Sequence, residues 1–243
     1  MFEIIDDLKA KLDQHRPLSS TIVKNLHEDL ILRWTYHSNA IEGNTLTLLE
    51  TKVVLEGITI GGKALREHFE AINHRDAILY VEDIIKRQEP FSEWQIRNIH
   101  QFILKNIDDE NAGRYRQQNV LISGATTPPP DHTLLNDKMA QFIDWYNCDA
   151  HRLHPVERAA KVHADFVAIH PFVDGNGRTS RLLMNLELLK AGYPPSVITV
   201  ENRLAYYEAL DQWMANDNTG PFIHLIADVV LDGFKPYQLI LGI

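Results

Sequence analysis

One cysteine in 243 residues, Cys148, excludes an intrachain disulfide and any zinc site built from several cysteines. Its ordinary reading is a small, chemically idle side chain. No run of about 20 apolar residues exists, so no membrane span or membrane partner is expected. Residues Met1 to Lys11 are acidic and lack the basic start and apolar core of a signal peptide, so a cytoplasmic protein is expected. Linker composition is also missing. Pro128-Pro129-Pro130 reads as a local loop, and neither repeats nor low-complexity segments occur, so residues 1–243 are expected to form a single domain. Positive charge is in short supply: 24 Lys and Arg stand against 33 Asp and Glu, for a net charge of -9. That balance excludes a general nucleic-acid binder, though not a small basic pocket for one nucleotide.

Helical periodicity is what the chain has in quantity. Ser19 or Ser20 can cap a helix to about Asn39, with Ile22, Leu26, Leu30 and Trp34 on one face. Thr47 and Glu50 have the spacing of a capping box for a short helix to about Glu56. Further helices are predicted at about 63–87, 93–106 (capped by Ser92), 134–147, 155–169, 176–191, 202–215 and 220–231. The segment from Tyr115 to His132 differs. Asn119-Val120-Leu121-Ile122 has strand character and Ser123-Gly124-Ala125 is a turn, which predicts a small β-hairpin. The fold class is therefore mainly all-α, with one hairpin.

The chemistry concentrates in His170-Pro171-Phe172-Val173-Asp174-Gly175-Asn176-Gly177-Arg178-Thr179-Ser180-Arg181. Gly175, Asn176 and Gly177 open a helix whose first N–H groups are free to cradle a phosphate. Arg178 and Arg181, at i and i+3, can face one anion. His170, at a loop edge before a proline, is either a general base or a helix-terminal histidine favoured by the helix dipole. Asp174 is either a helix cap or the ligand of a cation, since a carboxylate beside a phosphate needs one between them. Phe172 and Val173 read as packing residues. A plain helix–loop–helix connection would need all of these to coincide.

This run resembles the signature of the Fic family, His-x-Phe-x-(Asp/Glu)-Gly-Asn-Gly-Arg-x-x-Arg, and matches it at every fixed position. The resemblance extends from about Ser20 to Phe234. It implies a compact helical domain that transfers AMP from ATP to a Ser, Thr or Tyr hydroxyl of a target protein, releasing pyrophosphate. It implies His170 as the base, Asp174 as the Mg²⁺ ligand and Gly175, Asn176 and Gly177 as the cradle, with the Asn176 amide on the α-phosphate. Arg178 and Arg181 would meet the β- and γ-phosphates. Upstream, Ser38-Asn39-Ala40-Ile41-Glu42-Gly43 resembles the family's inhibitory motif, (Ser/Thr)-x-x-x-Glu-(Gly/Asn), on an inhibitory helix at about 20–42. Glu42 near a helix C-terminus is poorly placed for the dipole and calls for a cationic partner; the resemblance names Arg181. Relatives of this arrangement also remove AMP with the same glutamate.

The resemblance further implies a target-binding flap at Val120, Leu121 and Ile122, which pairs with the target by strand addition. Tyr207 is the implied adenine contact, although Met214 stands where an asparagine is usual. Self-modification and a homodimer through the segment 62–69 are expected as well. Two other classes compete. A metal-dependent phosphohydrolase would use His163, His170 and Asp174, but no HExxH-like spacing supports it. A non-catalytic regulatory binding protein is disfavoured by the intact signature. No Walker A motif or kinase signature set is present.

Overall fold

The computed structural model describes residues 2–243, and ten α-helices make up the architecture. They are α1 (Glu3–Gln14), α2 (Ser20–Ile41), α3 (Leu48–Leu55), α4 (Leu65–Lys86) and α5 (Glu93–Leu104). After a long irregular segment come α6 (Leu135–Cys148), α7 (Pro155–Ile169), α8 (Asn176–Lys190), α9 (Arg203–Asn216) and α10 (Gly220–Leu241). The local signals act as expected at several ends. Ser19 accepts from the Ile22 N–H at the start of α2. At α3 the Glu50 N–H donates to Thr47 Oγ1 at 3.2 Å, and the Thr47 N–H to Glu50 Oε2 at 2.7 Å, so both halves of the box form. Ser92 does not cap α5; its hydroxyl is spent on the Gln95 side chain.

Helices α7 and α8 form the central pair, and the signature loop joins them. One apolar cluster runs along them from α1, α9 and α10, through Ile5, Leu12, Tyr206, Phe222 and Phe234. Another packs from α4, α5 and α6, through Ile78, Ile99, Met139, Phe166 and Phe172. Because both helices are sandwiched, the loop between them has little room to move. Two buried polar residues of the second half of α8 are satisfied. Glu187 accepts from Tyr146 and Arg158, and Asn185 exchanges two hydrogen bonds with the backbone of Ser196.

Three expectations need correcting. First, no β-hairpin forms between Tyr115 and His132, and no strand occurs among the described residues. Side chains hold the segment in place of a ladder. Arg116 donates to the carbonyls of His170, Gln118 and Pro130, and Asn119 is tied to Asp131 and His132. Three consecutive prolines provide no N–H for a returning strand. Second, α10 runs ten residues past its expected end, continuing through Pro236. Phe234 is fully buried against the first cluster, and that packing outweighs the one backbone bond a proline forfeits. Third, α1 was not anticipated. It buries Ile5 and Leu12, and its Asp6 accepts from the Tyr193 hydroxyl at 2.8 Å. Among the described residues, no helix is long and apolar enough to cross a membrane.

Burial also makes the fold acid-sensitive. His74 and His163 are completely enclosed and held well below the ordinary histidine range, first by desolvation and then by Arg181. Burial lowers His100 to about 4. Below the unfolded value of about 6.5 the unfolded chain binds protons that the folded chain refuses. Stability is therefore intact above about pH 6.5 and falls as the pH drops, by up to about 1.4 kcal/mol per pH unit per histidine. Urea denaturation at pH 7.5 and 5.5 should give a clearly lower midpoint at pH 5.5, with proton uptake on unfolding. Equal midpoints would mean that the imidazoles are not held neutral.

Candidate active site

The loop from His170 to Gly175 takes its shape from two left-handed residues. His170 ends α7 at φ 50°, and its N–H caps the Phe166 carbonyl. Gly175 stands before α8 at φ 78°. A Cβ on Gly175 would come within 3.1 Å of Ile103 and 3.3 Å of the His100 ring, so both backbone and space demand glycine there. His100 supports the loop from below. It stacks on Phe172 at 3.5 Å, and its Nε2 lies 2.8 Å from the Asp174 carbonyl while Nδ1 accepts from the Gly113 N–H at 2.9 Å. That pair of partners fixes the Nε2–H tautomer.

Asn176 clamps the loop. Its Nδ2 donates to the Phe172 carbonyl at 2.9 Å and its Oδ1 accepts from the Phe172 N–H at 3.0 Å. The amide thus closes the loop across buried backbone that nothing else satisfies. Asn176→Ala should destabilise the nucleotide-free protein by about 2 kcal/mol, because two buried backbone groups lose their partner. An unchanged urea midpoint without nucleotide would assign the amide to phosphate binding alone.

Both arginines are buried at the N-terminus of α8. Arg178 lies 3.2 Å from Asp174 and 3.5 Å from Glu70. Asp174 also accepts from Arg66 at 2.6 Å and from the Gly175 N–H at 2.6 Å. Its carboxyl is held below the usual range: burial pushes upward, but Arg178, the Gly175 N–H and Arg66 together outweigh it. Arg181 donates to Ser38 Oγ at 3.0 Å, to the Ser38 carbonyl at 2.8 Å, to the Tyr206 hydroxyl at 3.3 Å and to Glu42 at 2.7 Å. The end of α2 is thereby locked onto α8. The Glu42 carboxylate lies directly over Gly177, where a Cβ would collide with it and approach Arg181 within 3.1 Å.

Residues 90–188 match the Fic/DOC family. The chain is 39% identical over 230 residues to protein adenylyltransferase Fic of Nematostella vectensis, covering 93% of this chain and 53% of that protein. It is 35% identical over 233 residues to protein adenylyltransferase fic-1 of Caenorhabditis elegans, covering 93% and 44%. The chain spans about half the length of the curated relatives it matches. Among solved structures, Fic-1 (residues 134–508) from C. elegans superimposes with a TM-score of 0.89 at 32% identity, over 99% of this chain and 72% of that one. A Fic domain containing signaling protein from Bacteroides thetaiotaomicron gives 0.89 at 30% identity, over 98% and 97%. The chain belongs to the Fic/DOC family.

Ser38 and Glu42, 143 and 139 residues upstream of Arg181, reach it in the fold. His170 is mostly enclosed. Burial pulls its imidazole down to about 4, the Val167 carbonyl offsets part of this, Arg116 adds to the depression, and Glu42 and Asp174 oppose it. Of its two ring nitrogens, Nδ1 is buried on the side of the Val167 carbonyl. Arg116 fixes this residue's backbone, donating from Nε to the His170 carbonyl and from its own N–H to the Pro171 carbonyl, both at 2.9 Å.

Several participants carried no usable sequence signal. Arg66 and Glu70 reach the loop from α4, His100 from α5, and Tyr206 from α9. Tyr206 is the buried member of its pair; Tyr207 is partly exposed and donates to the Ile41 carbonyl at 3.1 Å. The alternative metal site does not assemble. His163 Nε2 meets Ser180 at 3.0 Å and Tyr206 at 3.1 Å, while Asp174 is paired with arginines. No group of three metal-ligating side chains occurs among the described residues.

Proposed function

We propose that this chain is a protein adenylyltransferase that moves AMP from ATP to a hydroxyl side chain of a protein target, and that Glu42 restrains it. The observation that carries this reading is the convergence of a neutral histidine, an arginine-backed helix N-terminus and a carboxylate lying over that terminus. A hydroxyl oxygen attacks the α-phosphorus, its proton passes to His170 Nε2, and the bond to the β-phosphate breaks to release pyrophosphate. The first N–H groups of α8 and the two guanidiniums neutralise charge on the leaving pyrophosphate. The Asp174 carboxylate is a hard oxygen donor beside that cradle and fits Mg²⁺, which binds through one or two carboxylates plus phosphate oxygens. When bound, Mg²⁺ would supply charge neutralisation there, with Arg66 released from its contact.

Glu42 puts a negative charge where a γ-phosphate would lie and occupies the arginine that would bind it. With a third of its side chain still exposed, it could also position a water for the reverse removal of AMP. On the target side, Val120, Leu121 and Ile122 form the flap. None of their N–H groups donates within the chain, and Leu121 is 86% exposed, which suits strand addition by a target segment. Tyr207 is the candidate adenine contact. Exposed Leu65, in the segment 62–69, is where a second copy would pack.

The test uses ATP labelled at the α- or the γ-phosphate, with Mg²⁺ and the chain itself as acceptor. Adenylyl transfer leaves label on protein only from α-labelled ATP and releases γ-label as pyrophosphate. Protein labelling from the γ-position would establish a kinase instead.

A further inference from the structure

Nine arginines have a carboxylate within ion-pairing distance: Arg16, Arg33, Arg66, Arg75, Arg87, Arg152, Arg158, Arg178 and Arg181. In a chain with net charge -9 that is the ordinary fate of an arginine. Among the described residues, Arg97, Arg114, Arg116 and Arg203 have none. Three of these four line a single cavity of about 560 Å³, together with Tyr115 and His132. An adjoining hollow of about 500 Å³ shares Arg97 and Arg114 and is bordered by Trp94, which is 63% exposed. Positive charge left over from an acid-rich surface has thus been collected in one groove.

The place of the groove matters as much as its charge. Its wall, residues 114–117, leads directly into the flap, and Arg116 ties that wall to the backbone of His170 and Pro171. The groove is therefore joined both to the flap and to the backbone of His170, within reach of the residues that flank a hydroxyl held there. The guanidiniums are also held ready. Arg97 donates from Nε to the Gly113 carbonyl at 2.8 Å and lies 5.1 Å from the Tyr115 ring centroid, which leaves both of its terminal nitrogens free. Gly113, at φ 71°, has no room for a Cβ, which would sit 3.0 Å from the Arg97 carbonyl. Arg116 spends its donors on three neutral carbonyls and makes no direct ion pair, although Asp131 lies near enough to act on its charge. Two carboxylates stand nearby. Asp131 is hydrogen-bonded by Asn119 and Thr133 and lies beside Arg116 and His132, and Glu93 borders the outer hollow and acts on Tyr115, so the three guanidiniums outnumber the two carboxylates around the groove.

We propose that this groove reads acidic side chains flanking the accepting hydroxyl, so that the target segment is rich in Asp or Glu close to the modified Ser, Thr or Tyr. This rests on the adenylyltransferase reading. Net charge -9 gives general repulsion toward acidic proteins, and a local basic groove converts that into selection for acidic residues at one register.

The experiment uses the Glu42→Gly protein and fluorescent peptides with one central serine flanked by Asp/Glu, by Asn/Gln or by Lys. Binding by fluorescence anisotropy and AMP transfer are measured separately. The acidic peptide should bind about tenfold more tightly than the amide peptide, and the advantage should shrink with added salt. Arg97→Glu/Arg114→Glu should abolish that preference and favour the Lys peptide, with affinity for ATP unchanged. Equal binding of acidic and amide peptides would overturn the groove assignment, whatever their rates of transfer. Acidic preference in binding without transfer to any peptide would leave the groove standing and count against the adenylyltransferase reading. Neither preference nor transfer would overturn both.

Discussion

Glu42→Gly should raise the rate of AMP transfer by about 5- to 150-fold, the range that a coupling of about 1–3 kcal/mol delivers. Three features set the size. Glu42 is bound at 2.7 Å to an arginine that is itself fully enclosed, so the pair is felt more strongly than a surface pair. One-third of the Glu42 side chain still reaches solvent, which keeps the effect well short of a fully buried ion pair. The carboxylate also fills the space over Gly177, so ATP must displace both a charge and a volume. Glu42→Gln separates the two. It keeps the volume and removes the charge, and should fall between wild type and Glu42→Gly. After the change Arg181 keeps its bonds to Ser38 and Tyr206, so the fold should survive. Steady-state transfer over a range of ATP concentrations checks the outcome. A Glu42→Gly protein no faster than wild type at saturating and at low ATP would remove Glu42 from control of the site.

Much of this geometry could be read from the chain before any coordinates. Capping chemistry placed α2 and α3 to within a residue or two, because each cap is a local event between residues three apart. The signature loop was legible in part for the same reason, since Gly175 answers to a left-handed backbone at the start of α8, although the neighbours that crowd Gly175 and Gly177 come from α5 and the end of α2. What escaped was non-local. His100 is one histidine in the middle of an ordinary amphipathic helix, and only the packing of α5 beneath the loop gives it a role. Arg66 and Glu70 are likewise surface-like residues until α4 meets α8. The hairpin failed because strand propensity in Val120-Leu121-Ile122 had no partner strand, while Arg116 and Asn119 offered side-chain bonds in its place. The loop clamp made by Asn176 was not legible, since only the fold shows that the backbone of Phe172 has no other partner than this amide.

His170→Ala should lower transfer by about 10²- to 10⁴-fold while leaving the affinity for ATP nearly unchanged, because the residue handles a proton rather than a phosphate. The stronger check lies in the pH profile. With its imidazole drawn down to about 4, the free enzyme holds His170 neutral and able to accept a proton throughout the physiological range. The acid limb of kcat/KM should therefore lie well below the value near 6.5 that an exposed histidine would give. Bound triphosphate adds negative charge near the imidazolium and must raise its pKa, so the acid limb of kcat should sit higher than that of kcat/KM. Glu42→Gly removes one of the carboxylates that raise His170 and should shift the kcat/KM limb further down. The loss of stability caused by the other buried histidines falls in the same direction. Initial rates after a rapid pH jump, with folding followed by circular dichroism, keep the two apart. A kcat/KM limb near 6.5 in protein shown to be folded would mean that His170 is solvated in the working enzyme, and that the loop opens before the hydroxyl arrives.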